Sequence, residues 1–139
     1  MAIKIKKVGL IGVGTMGTQI AIQASAYGYD MNVYDQDPEI FQKTFGRLLN
    51  FIKISEKEPT IPVKEWEKYA QNVKQYKDLS EALRDKDLVI EACPENLELK
   101  RKILAQIDSF APERAILSTN SSSIPISKIE GATKGLKSA

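Results

Sequence analysis

The chain has 139 residues, 42% hydrophobic and 27% charged, which is the length and composition of one globular domain with its own core. Twenty Lys and Arg against 18 Asp and Glu leave a net charge of +2, too weak a field for nucleic-acid binding, so no nucleic-acid partner is expected. With one cysteine, Cys93, and no histidine, disulfide frameworks, zinc fingers and histidine-dependent triads are excluded within these residues, and no metal site is expected.

Lys4, Lys6 and Lys7 ahead of Val8, Leu10 and Ile11 imitate a signal peptide. The apolar run is short, is broken by Gly9 and Gly12, and leads into another glycine rather than a cleavage site. No stretch nears the roughly 18 apolar residues of a membrane span, so no membrane association is expected. The unpaired Cys93 suits a reducing, cytoplasmic location.

Residues 8–13 form an apolar run of the kind found in strands buried on both faces, and Met16, Ile20, Ala24 and Tyr27 then recur at helical spacing. Gly28 is the expected helix stop, 31–34 a second strand, and Asp37 with Pro38 the start of a helix whose buried stripe is Phe41, Phe45, Leu48, Leu49 and Ile52. Residues 56–62 read as a loop before a short helix over 63–70, which makes an inserted helical hairpin. A weak strand over 73–76, a short helix over 80–84 and a strand over 88–92 follow. The next helix runs over about 95–110 with the stripe Leu99, Ile103, Ile107 and Phe110, then a strand over 115–118, a helical turn near Pro125 and a frayed tail from Gly131. Strands alternating with helices predict parallel pairing through right-handed crossovers, hence an α/β doubly wound sheet.

Gly12-x-Gly14-x-x-Gly17 stands between the first strand and the first helix, where a Rossmann-type dinucleotide site needs it. Gly12 permits the tight turn, Gly14 lets backbone approach a pyrophosphate, Gly17 lets helix pack on strand, and the helix start offers unpaired N–H donors to the anion. Asp35 follows the second strand, 18 residues past Gly17, where a carboxylate takes the ribose hydroxyls and repels a 2′-phosphate; NAD is therefore preferred over NADP. The bland alternatives are a glycine-rich turn without a ligand and a solvated carboxylate at a strand end. The segments from Glu91 to Lys100 and from Ser118 to Ser123 both follow parallel strands and are expected to face the glycine turn. From spacing alone Glu95 could be a helix-start carboxylate, Lys100 a solvated lysine, and Ser121, Ser122 and Ser123 no more than a helix cap.

Taken together, Gly12-Val13-Gly14-Thr15-Met16-Gly17, Asp35, Glu95-Asn96-Leu97-x-x-Lys100 and Asn120-x-Ser122-Ser123 resemble the NAD-binding domain of L-3-hydroxyacyl-CoA dehydrogenases, including 3-hydroxybutyryl-CoA dehydrogenases, over nearly the whole chain. The resemblance implies that Gly12, Gly14, Thr15, Met16, Gly17, Asp35, Ala92, Glu95, Lys100 and Asn120 hold NAD. It also implies that Ser122 is the catalytic group of these residues, hydrogen-bonding the 3-hydroxyl of an acyl-CoA substrate in a fatty-acid β-oxidation type of reaction, and that the helical hairpin helps to hold coenzyme A. The family's general base is a histidine paired with a glutamate on the strand after the serine-rich loop, expected beyond Ala139. Residues 1–139 are accordingly expected to form one NAD-binding domain without the family's C-terminal helical domain, able to bind NAD but not to turn over, because a serine is too weak a base near neutral pH. The strand over 115–118 is then expected at a sheet edge, inviting a homo-oligomer through Ile116 and Leu117 or a tail folded back over them. A stand-alone dinucleotide-binding or sensing module and a 3-hydroxy acid dehydrogenase that does not use CoA are the competing expectations.

Overall fold

The computed structural model describes residues 4–55, 61–121 and 123–133. Five strands, β1 (Lys7–Ile11), β2 (Asp30–Tyr34), β3 (Lys74–Tyr76), β4 (Leu88–Glu91) and β5 (Ile116–Thr119), alternate with helices α1 (Thr15–Ala26), α2 (Ile40–Ile54), α3 (Val63–Gln71), α4 (Leu79–Ala82) and α5 (Leu97–Phe110). The sheet is parallel throughout with order β3-β2-β1-β4-β5, so the chain winds outward in both directions from β1. This is the Rossmann-type α/β fold that the alternation of elements predicts.

Each face of the sheet has its own apolar layer, which is why β1 reads as a continuous hydrophobic run. Val8, Leu10, Met31 and Val33 pack on one side with Ile22 of α1, Phe41 of α2 and Trp66 of α3. Ile11, Val89 and Leu117 pack on the other with Leu83, Ile103 and Ile107. The hairpin is fastened to α1 by Ser25 Oγ, which donates to Tyr69 O at 3.1 Å. Residues 56–60, most of the loop expected between its helices, lie outside the described residues.

The register brings the carboxyl ends of four strands level. Ile11 pairs with both Tyr34 and Glu91, and Glu91 pairs with Thr119. The ladder continues one step past the strands, since Gly12 N donates to Tyr34 O at 2.9 Å, Ala92 N to Ile11 O at 2.8 Å and Asn120 N to Glu91 O at 2.8 Å. Gly12, Asp35, Ala92 and Asn120, far apart in sequence, therefore emerge side by side.

Several boundaries differ from the sequence expectation for local reasons. Gly28 closes α1 as expected, with Gly28 N bonded to Ser25 O and Tyr29 N to Ala24 O, the paired bonds of a Schellman stop. Helix α2 begins at Ile40 rather than at Pro38, because the Asp37 carboxylate accepts from Glu39 N at 3.0 Å and folds residues 37–39 into a turn first. Helix α5 turns a different stripe inward: Lys100, Ile103, Leu104 and Ile107 are buried, whereas Phe110, expected in the core, is 48% exposed. The cause is the Lys100 side chain, which is drawn under the sheet end by a buried carboxylate. Gly131 is not frayed, since Glu130–Ala132 form a 3-10 turn that packs against α5; residues 134–139 lie outside the described residues. Strand β5 stands at the sheet edge, with Ile116 40% exposed and Leu117 buried.

The opposite end of the sheet is tied by Asp87, whose carboxylate accepts from Lys6 N and Lys7 N at 3.0 and 2.9 Å and from Arg114 at 2.7 Å, joining the starts of β1 and β4 to the approach to β5. Those backbone donors, with the Arg114 guanidinium, lower its pKa from the ordinary 3.8 to about 2. A lowered folded-state pKa contributes stability that is complete above the ordinary value and lost as the pH falls through the folded one. Urea denaturation followed from pH 5 to pH 2 is therefore expected to show a falling midpoint below about pH 4; Asp87→Asn should lower the pH 7 midpoint and flatten that part of the profile.

Candidate cofactor site

The crevice begins where β1 ends. Gly12 has φ +96°, and a Cβ there would lie 2.8 Å from the Ala92 carbonyl, so this turn needs both the left-handed backbone and the bare hydrogen. A Cβ on Gly17 would lie 2.1 Å from Gly12 O, which is how closely the first turn of α1 rests on the strand end. A Cβ on Gly14 would meet nothing, and Gly14 caps α1 without any side-chain bond to the helix start. Open space in front of unclaimed N–H donors is what a pyrophosphate requires.

Asp35 stands beside this turn. Its Oδ2 accepts from Val13 N at 2.9 Å and its Oδ1 from Asp37 N at 3.0 Å, so the carboxylate is held in place with lone pairs to spare for hydroxyl donors. A cavity of about 550 Å³ opens between the turn and the ends of β2, β4 and β5. All the residues expected at NAD line it except Lys100: Gly12, Gly14, Thr15, Met16, Gly17 and Asp35 on one side, Ala92, Glu95 and Asn120 on the other. Among the described residues no lysine or arginine lines this cavity, so the carboxylates of Asp35, Asp37 and Glu95 dominate its charge.

Lys100, expected at the cofactor, instead lies beneath the crevice wall with its side chain 1% exposed. Its Nζ donates to Glu91 at 2.8 and 3.0 Å and to Cys93 O at 3.0 Å, and it sits 3.4 Å from Glu95. Glu91, with no exposed side-chain surface, also accepts from Thr119 Oγ1 at 2.6 Å and from Cys93 N. All the strong hydrogen-bonding capacity of this buried pair is thereby used. Burial, with the Glu91 charge next, pushes the Cys93 thiol up to about 12, so it is protonated at neutral pH and is no nucleophile.

Glu95 carries the network to the surface. It accepts from the hydroxyls of Ser123 and of Ser121, the latter at 2.8 Å, and those two donors, ahead of Lys100, hold its pKa below the ordinary carboxylate value. The cap of α5 is its neighbour Asn96, whose Oδ1 accepts from Leu99 N at 3.0 Å. Ser122 lies outside the described residues. Sequence reasoning missed Glu91 and Thr119. The signal was present, since Glu91 ends the apolar strand Leu88-Val89-Ile90 and Lys100 precedes Ile103 and Leu104 on one helix face, so each is a charge written into a buried pattern.

Residues 7–138 match the sequence profile of the 3-hydroxyacyl-CoA dehydrogenase, NAD binding domain. The chain belongs to this family. It is 34% identical over 136 residues to the mitochondrial hydroxyacyl-coenzyme A dehydrogenase of Rattus norvegicus, an overlap that takes in 94% of this chain and 43% of that protein. Among solved structures, 3-hydroxybutyryl-CoA dehydrogenase from Escherichia coli K12 is 32% identical with a TM-score of 0.77, covering 96% of this chain and 28% of that one. A diketoreductase, described as a catalyst acting on dicarbonyl compounds, is 33% identical with a TM-score of 0.83, covering 96% of this chain and 47% of its own. The chain spans less than half the length of the curated relatives it matches. NAD is the cofactor of this domain family, and the open glycine turn and the cation-free crevice fit it.

Removing one member of a buried pair strands the other. Lys100→Met is expected to cost about 3–5 kcal/mol in urea denaturation. Glu91→Gln/Lys100→Met, which removes both charges and keeps an amide oxygen to accept from Cys93 N while its NH2 donates to the Thr119 hydroxyl, should recover most of that loss.

Proposed function

We propose that these residues form the cofactor half of an enzyme that moves a hydride between NAD and the C3 hydroxyl of a 3-hydroxyacyl-CoA. The observation that carries this is the convergence of the glycine turn, Asp35, Glu95 and Asn120 on one crevice at the carboxyl ends of the sheet. NAD, when bound, is the acceptor or donor of the hydride. The chain's own residues bind and orient: the start of α1 takes the pyrophosphate, Asp35 the adenosine ribose hydroxyls, and Glu95 and Asn120 the nicotinamide half. Ser122, between the two serines that Glu95 holds, would orient the substrate oxygen. A serine is too weak to remove the hydroxyl proton near neutral pH, and these 139 residues contain no histidine, so turnover requires a base from outside them.

For the acyl-CoA, the supporting feature is a second groove of about 600 Å³ between α1, α2 and α3, apolar along Leu48, Phe51, Ile52 and Trp66 with Arg47 at its side. Thr15 borders both this groove and the crevice. The likeness to a diketoreductase favours a second substrate class, a dicarbonyl compound without CoA. For assembly the proposal is a homo-oligomer that covers the β5 edge, which sedimentation tests. For compartment it is the reducing cytoplasm, which suits the lone thiol of Cys93; relatives carry peroxisomal and mitochondrial in their names, and cell fractionation decides.

Calorimetry should give tighter binding of NAD than of NADP, with Asp35→Ala removing at least about tenfold of that preference; equal affinities in the unaltered chain would end the role given to Asp35. In the presence of NADH, acetoacetyl-CoA should bind saturably, more weakly after Arg47→Ala, yet be reduced no faster than in a blank. A simple diketone that binds as well as acetoacetyl-CoA would favour the second substrate class.

A further inference from the structure

Glu91 has no exposed side-chain surface and cannot touch anything in the crevice, yet every contact it makes leads there. It joins the end of β4 to the end of β5 through Thr119, fixes the backbone of Cys93, and holds the Lys100 ammonium within 3.4 Å of Glu95. Glu95 in turn fastens the Ser121 and Ser123 hydroxyls from a segment that starts 26 residues later in the chain. Asp35 accepts no hydrogen bond from this network, being held by Val13 N and Asp37 N, and the glycine turn meets it only through the close packing of Gly12 on the Ala92 and Cys93 backbone.

The two ends of the crevice are thus held by different hydrogen bonds, and we propose that Glu91 is a positioning residue for the Glu95 end. By holding Lys100 inside the domain it sets Glu95, and with it Ser121 and Ser123, in place, and so controls affinity for the nicotinamide riboside half of the dinucleotide while leaving the adenosine diphosphate half alone. This rests on the reading of the crevice as an NAD site. A preorganised binding group is worth most when its support is rigid, and a shift of about 1 Å transmitted from a distant substitution is enough to cost a large factor.

The test compares NAD with ADP, which keeps the adenosine and diphosphate and lacks the rest. In calorimetry on the full chain, Glu91→Gln/Lys100→Met is expected to weaken NAD by about tenfold or more and ADP by less than about twofold. Ser121→Ala/Ser123→Ala, changed at the surface end of the relay, should reproduce that selective loss, and Ser121→Thr/Ser123→Thr should restore affinity. Combining the alanine pair with the Glu91 and Lys100 changes should add little, because both break one chain of contacts. Equal weakening of NAD and ADP, an unchanged NAD affinity in the serine-to-alanine variant, or fully additive losses would each overturn the proposal. If the charge-removing variant fails to fold, the serine variants alone decide it. Failure of the unaltered chain to bind either NAD or ADP would instead overturn the cofactor reading itself.

Discussion

The Glu91–Lys100 pair is the constraint around which the cofactor end of the domain is arranged. Two charges removed from water carry a desolvation penalty of several kcal/mol each, and such a pair persists only where geometry and additional hydrogen bonds offset it. Here the offset comes from Thr119, the Cys93 amide and the Cys93 carbonyl, contributed by the end of β5 and the loop between β4 and α5. Satisfying the charges and fixing the loops are thus one event. The same pair rotates α5, turning Lys100, Ile103, Leu104 and Ile107 inward and leaving Phe110 outside.

Around that anchor the crevice is built by register rather than by sequence proximity. Parallel strands ending at one level deliver the residues after them to one place, and the backbone bonds of Gly12, Ala92 and Asn120 extend the ladder by a step before the loops diverge. The loop after β4 packs on Gly12 at a distance that excludes any side chain, so glycine is required there for space as well as for its backbone conformation. The glycine turn and the loop after β4 are therefore set against each other by steric contact. At the far end of the sheet, Asp87 performs the complementary task for the strand starts.

Charge inside the crevice follows from the same placement. With Lys100 withdrawn beneath the wall, the lining is left acidic at both ends and open to helix N–H donors in the middle. That distribution suits a ligand with hydroxyl-bearing ends and an anionic centre, and disfavours an additional phosphate at the Asp35 end. Glu95 stays ionised to lower pH than a free carboxylate because two serine hydroxyls and the hidden lysine stand against it.

The sequence by itself determined the features that depend on a few consecutive residues: the Gly12-x-Gly14-x-x-Gly17 turn, the Schellman stop at Gly28, the carboxylate at the end of β2, and the alternation of apolar runs and helical stripes that makes the sheet parallel and doubly wound. Each is a local matter of backbone conformation or periodicity, and is legible wherever it occurs. What only the tertiary structure decided was which way charged side chains point. Lys100 on its helix is compatible with solvent or core, and it goes inward because Glu91, nine residues earlier and at the end of another element, pairs with no other cation among the described residues. Likewise Glu95 meets Ser121 and Ser123 only because β4 and β5 pair in one register. Long-range electrostatic pairing is decided by the register and packing of elements distant in the chain, and that information is not local to any stretch of residues.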